Sequence, residues 1–148
     1  MAPADSSNPI EVLLVEDNPG DVRLAAEALR GSGIRFNLRV VRTGAEAMAY
    51  LLREGAFAGA PRPKLIILDL KLPRVDGFEV LARIKGNDTF RRIPVTVLTS
   101  SSAADDIYRA YGFGANCYVV KPGDLDDFVE VLRTVLSYWV NVVELPPE

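Results

Sequence analysis

The sequence predicts an α/β protein built on a doubly wound, five-stranded parallel sheet in the order 2-1-3-4-5. Two observations carry the prediction. Apolar runs short enough for buried strands alternate, five times over 148 residues, with longer stretches of helical period, which is the pattern of strands joined by crossover helices. The third run, Lys64 to Leu70 (KLIILDL), is almost wholly apolar, as expected for a strand covered on both faces. Right-handed crossovers must place helices on both faces of such a sheet, and the order 2-1-3-4-5 does so without crossing connections.

Each element follows from local chemistry. The first strand is Ile10 to Val15, ending at Glu16-Asp17. Asn18-Pro19-Gly20-Asp21 then reads as a helix start: Asn18 can cap, Pro19 needs no N–H there, and Asp21 suits the positive helix end. Val22, Ala25, Ala26 and Leu29 form the apolar stripe, and Gly31-Ser32-Gly33 stops the helix. A strand over Phe36 to Val41 precedes a helix from Ala45 to about Glu54, and GAFAGAPRP, Gly55 to Pro63, is a loop by composition. Pro73 ends the third strand. A helix follows over Gly77 to Lys85, then a strand over Ile93 to Thr99, a helix over Ala104 to Phe113, a strand over Cys117 to Val120, and a last helix from Asp124 to about Val140. The expected organisation is a tail over residues 1–8, disordered by composition, a domain over 9–140, and a C-terminal extension over 141–148.

The composition excludes several functions. Lys and Arg number 17 against 20 Asp and Glu, a net charge of −3, and the cations are scattered, so nothing marks a nucleic-acid surface. No apolar run approaches the roughly 18–20 residues that span a bilayer. Met1 to Pro9 lacks the pattern of a signal peptide, and the single Cys117 forms no internal disulfide, so a reducing cytoplasm is expected. There is no histidine. That removes serine-type triads and imidazole metal sites, and any phosphohistidine involved must belong to another protein.

In a sheet of this kind the ligand binds beyond the carboxyl ends of the strands, where the strand order reverses. The residues there are Glu16 and Asp17 after strand one, Asp69 at the end of strand three, Thr99 with Ser100 and Ser101 after strand four, and Lys121 after strand five. Three carboxylates together repel unless a cation or proton intervenes. An oxygen-only donor set suits a hard ion, and Mg²⁺ takes one or two carboxylates, waters and a phosphoryl oxygen. Asp17 and Asp69 are the expected direct ligands, with Glu16 reached through a water and the Lys71 backbone carbonyl as a further ligand. Asp69 is then placed to attack phosphorus, with Lys121 neutralising the transferring group and Thr99 donating a hydrogen bond to it.

Val15-Glu16-Asp17-Asn18, Leu68-Asp69-Leu70-Lys71-Leu72-Pro73, Asp76-Gly77, Leu98-Thr99-Ser100 and Tyr118-Val119-Val120-Lys121-Pro122 together resemble the receiver domain of two-component response regulators, a flavodoxin-like fold. The resemblance covers about Glu11 to Val140. It implies Asp69 as phosphoacceptor, Glu16 and Asp17 as the acid pair for Mg²⁺, Thr99 as switch hydroxyl, Tyr118 as switch aromatic and Lys121 as phosphate contact. It also implies a cis peptide between Lys121 and Pro122. The GAFAGAPRP loop, Ile107-Tyr108-Arg109-Ala110-Tyr111, Asn116-Cys117-Tyr118 and the tail from Tyr138 to Pro147 are similar to those of small regulators paired with bacterial phytochrome histidine kinases. That similarity implies a light-sensing kinase as donor and a homodimer through the last helix and its tail.

The last helix carries an apolar stripe of Leu125, Phe128, Val129, Leu132, Val135, Leu136, Trp139 and Val143, wider than one sheet contact needs. From it Leu132, Leu136, Trp139 and Val143 are the expected dimer residues. Lys71 and Ser101, two residues past the acceptor and the switch hydroxyl, are expected to tune hydrolysis of the aspartyl phosphate. Competing functions are weaker. An aspartyl-phosphate phosphatase usually needs an acid two residues after the nucleophile, where this chain has Lys71. A flavin or nucleotide phosphate would be repelled by Glu16-Asp17. A degenerate receiver or phosphate-independent adaptor would not need the full acid, Thr and Lys set. The expected output is a phosphorylation-dependent surface read by an unidentified target, not a DNA-binding or enzymatic domain.

Overall fold

The computed structural model describes residues 9–147; the expectation for residues 1–8 lies outside them. Five parallel strands, β1 (Ile10–Val15), β2 (Phe36–Val41), β3 (Leu65–Leu68), β4 (Val95–Thr99) and β5 (Cys117–Val120), stand in the order β2-β1-β3-β4-β5. Helices α1 (Pro19–Arg30), α2 (Gly44–Leu52), α3 (Gly77–Lys85), α4 (Ala104–Gly112) and α5 (Leu125–Ser137) connect and cover them. The strand order and the alternation of elements are those read from the sequence. β4 starts later than expected, after Pro94, which cannot donate to the ladder, and β3 spans Leu65–Leu68, ending two residues before the expected Leu70.

Period-two alternation of the strands divides the interior into two cores. Leu13, Val15, Ile66, Leu68, Val95 and Val97 face α2, α3 and α4, meeting Ala47, Tyr50, Leu51, Val80, Leu81 and Ile84. Val12, Leu14, Leu65, Ile67 and Leu98 face α1 and α5, meeting Ala25, Ala28, Leu29, Phe128, Leu132 and Leu136. Register aligns Val15 with Leu68 and Thr99 with Val120, so the first residues beyond β1, β3 and β5 come out at one edge of the sheet.

Caps fix where the helices begin at that edge. Asn18, Thr43, Asp76 and Asp124 each accept a hydrogen bond from a backbone N–H three residues on. Gly77 opens α3 against the backbone of β3's exit: a Cβ there would collide with the Leu70 Cα and come within 2.5 Å of the Asp69 carbonyl oxygen. Only glycine allows α3 to start so close to the acceptor strand.

Two expectations are corrected here. Leu132 and Leu136 are 1% and 0% exposed; they fill the core against β1, β3 and β4 and offer nothing to a second copy. Trp139 packs on the same core and donates its indole N–H to the Thr96 hydroxyl at 3.0 Å. The stripe is wide because the chain continues past α5 as a wider π-type turn over Tyr138–Val142, which carries Trp139 back beneath the sheet. Lys64 Nζ then donates to the Pro146 carbonyl at 3.1 Å. The peptide between Lys121 and Pro122 is trans, not cis. The trans form is the intrinsic preference of an X–Pro bond by about 0.5–1 kcal/mol, and Lys121 reaches its partners from it.

Candidate functional site: an acidic pocket at the strand ends

Glu16 follows β1 directly and is 1% exposed, Asp69 follows β3 and is 6% exposed, and Thr99 closes β4 fully buried. Asp17, one residue on from Glu16, is exposed. One oxygen of each of Glu16, Asp17 and Asp69 lies within 4.8 Å of the others. Carboxylate oxygens at that spacing, two of them buried, fit the donor preferences of a hard divalent ion such as Mg²⁺ or Mn²⁺.

Lys121, reaching in from the end of β5, sets the electrostatics. Its ammonium donates to Glu16 Oε1 at 2.8 Å, Asp21 Oδ2 at 2.6 Å and Asp69 Oδ2 at 3.1 Å, with only 11% of the side chain exposed. Burial works against its charge. The hydrogen bonds to Asp21 and Glu16, with the charges of Asp69 and Glu16, outweigh that and hold the lysine protonated above its usual range. Glu16 is shifted upward too, which for a carboxyl favours the neutral form. Its burial and the neighbouring Asp69 push its carboxyl up from 4.5 to about 7, against the pull of Lys121. One cation among four acids leaves the pocket short of positive charge.

Backbone donors fix the acids. Asn18 N–H donates to Glu16 Oε2 at 3.2 Å, and Lys71 N–H donates to Asp69 Oδ1 at 3.1 Å. Asp69 thus has one oxygen on Lys71 and the other on Lys121. The Lys71 side chain points to solvent.

The β4–α4 connection carries the remaining expected residues. Ser101 N–H donates to Thr99 Oγ1 at 3.4 Å, and Tyr118 donates its phenol to the Ser101 carbonyl at 3.0 Å. Ser101's own hydroxyl donates to Asp106 at 2.6 Å and accepts from Ala103 N–H. It therefore organises the start of α4, where Ala103 supplies no side-chain cap. Thr99, Ser101 and Tyr118 form one connected unit beside the acids.

Glu16, Asp17, Asp69 and Lys121 are brought together as the sequence suggested, whereas Asp21 was missed as a member of the pocket. Its role at the helix start explained its identity well enough to hide its side-chain contact. The signal was available: a carboxylate in the first turn after an acidic strand end faces the same edge of the sheet.

Comparison with known proteins places these features in a family. Residues 12–133 match the response regulator receiver domain. The response regulator Rcp1 of Synechocystis is 46% identical over 144 residues, 97% of this chain and 98% of its own. The structure of the phosphorylated cyanobacterial phytochrome response regulator RcpA superposes with a TM-score of 0.91 at 44% identity, covering 95% of this chain and all of that one. The Mn²⁺-bound form of Rcp1 superposes at 0.90 and 45% identity, over 94% of this chain and all of its own.

Proposed function

The chain belongs to the response regulator receiver family, and on that premise we propose that it takes a phosphoryl group from a phytochrome-type histidine kinase onto Asp69. The observation that carries the reading is the Lys121 ammonium 3.1 Å from Asp69, beside carboxylate oxygens of Glu16, Asp17 and Asp69 that lie within 4.8 Å of one another. A receiver of this family implies a histidine kinase as partner. The phytochrome type is supported by the similarity to Rcp1 and RcpA along nearly the whole chain.

In the proposed reaction an Asp69 carboxylate oxygen attacks the phosphorus of the kinase's phosphohistidine. The new O–P bond forms as the N–P bond breaks, and the imidazole leaves with the electron pair. Glu16, Asp17 and Asp69 would hold Mg²⁺, with the Lys71 carbonyl as a further ligand; when bound, that ion supplies positive charge to the phosphoryl oxygens. Lys121 meets the same developing charge from the β5 side. Thr99 then turns its hydroxyl to the phosphoryl group, which would release its bond from Ser101 N–H and let Tyr118 follow. Lys71 and Ser101 flank the acyl phosphate and set how quickly it hydrolyses.

Self-association remains part of the proposal, with the contact moved outward. Val143 at the chain's end joins Tyr138 and Val142, which are 48% and 70% exposed, in place of Leu132, Leu136 and Trp139. Residues 9–140 are read as the receiver and 141–148 as its extension. Among the described residues no helix is long and apolar enough to cross a membrane. Phosphotransfer from a kinase's catalytic portion would have the chain act in the cytoplasm.

The test is phosphotransfer. A bacterial phytochrome kinase autophosphorylated with labelled ATP should pass its label to this chain and not to the Asp69→Asn variant. Transfer to both, or to neither while a cognate regulator is labelled, would overturn the proposal.

A further inference from the structure

Lys121 has three N–H donors, and each meets a different carboxylate: Glu16 at 2.8 Å, Asp21 at 2.6 Å and Asp69 at 3.1 Å. The shortest contact is to Asp21, the one partner that lies on α1 rather than directly after a strand. Glu16 and Asp69 belong to the group of oxygens that suits a metal ion, together with Asp17, and Asp21 does not. A cation drawn into that group takes charge from two of the three partners of Lys121 and leaves the third intact.

Asp21 is well placed to keep its hold. It sits in the first turn of α1, where its N–H donates to Asn18 Oδ1 at 3.1 Å. The helix behind it is fixed by Ala25, Ala28 and Leu29 in the core. Its side chain is 22% exposed, so water screens the pair only partly. Lys121 itself extends from β5, the last strand of the sheet. A long, flexible side chain in that position needs an anchor if its charge is to stay over the acceptor.

We infer that Asp21 is a positioning residue: it would hold the Lys121 ammonium beside Asp69 when a metal ion engages the carboxylates of Glu16, Asp17 and Asp69, and leave the other N–H groups for the incoming phosphoryl oxygens. The inference rests on the reading of Asp69 as phosphoacceptor. Its chemical content is specific to the pair, since a negative charge at the start of α1 would otherwise only favour the helix.

The experiment is a double-mutant cycle on the initial rate of phosphoryl gain from acetyl phosphate at saturating Mg²⁺, followed by intact mass. Asp21→Ala is expected to slow the reaction by about threefold or more in the wild-type background and by less than about twofold in Lys121→Ala. Asp21→Asn, which keeps the shape and loses the charge, should fall between wild type and Asp21→Ala and guards against a folding defect in the latter. Equal losses in both backgrounds would reduce Asp21 to a helix-stabilising residue and overturn the inference, as would a rate unchanged or raised by either substitution. A wild-type protein that gains no phosphoryl group would instead sink the phosphoacceptor reading, and this inference with it.

Discussion

Glu16 offers a prediction that needs no phosphodonor. Its carboxyl lies about 7 in the folded chain against 4.5 for the free group, because burial disfavours its charged form and Asp69 adds to the effect. Below pH 4.5 both folded and unfolded chains hold the proton, and Glu16 contributes nothing to the pH dependence. Between 4.5 and 7 the unfolded chain releases it while the folded chain keeps it, so stability falls as pH rises. Above 7 both are ionised and the penalty is complete. A gap of about 2.5 pH units at about 1.4 kcal/mol each amounts to roughly 3–4 kcal/mol in full. Lys121 does not produce this slope, since its raised range keeps it charged throughout. The assay is urea unfolding at pH 5, 7 and 8.5 in EDTA, with Glu16→Gln as reference. Wild type should lose about 2–3 kcal/mol relative to Glu16→Gln across the series, and saturating Mg²⁺ should restore most of it at pH 8.5. Parallel stability curves for the two proteins would refute the reasoning.

Gly77→Ala would push a methyl into the Leu70 and Asp69 backbone; the expected cost is about 1–3 kcal/mol in urea unfolding, with slower phosphorylation because the acceptor's strand exit must shift. Leu136→Ala should cost about 2–5 kcal/mol and leave self-association unchanged, whereas Val142→Glu should weaken association in sedimentation velocity and alter stability by less than about 0.5 kcal/mol. The reverse outcome would return the contact to the helix stripe. Joint exchange of Lys71 and Ser101 should change the phosphoryl lifetime followed by mass; an unchanged lifetime would remove them from the tuning role.

Most strands and helix starts were legible because their signals are local. An apolar run such as Leu65 to Leu68 and a cap such as Asn18 or Asp76 act within a few residues. The gathering of Glu16, Asp17, Asp69 and Lys121 followed from topology, since a parallel sheet brings the ends of β1, β3 and β5 to one edge. Less legible were features that depend on which sector of a helix its neighbours cover. The α5 stripe shows the same periodicity whether Leu132 and Leu136 face the sheet or a partner, and only packing decides. The return of Trp139 to Thr96 depends on a local widening of the helix that no residue pattern announced. Asp21 already had a sufficient reason to be acidic at a helix start, so its reach to Lys121, 100 residues away in sequence, could be found only in three dimensions.

The most direct test of the central claim is the intact mass of the protein after incubation with acetyl phosphate, with and without Mg²⁺, beside Asp69→Asn. One added phosphoryl group on the wild type, dependent on Mg²⁺ and missing from Asp69→Asn, is the predicted result. An adduct that persists in Asp69→Asn, or no adduct on the folded wild type with Mg²⁺ present, would contradict the assignment of Asp69 as the acceptor.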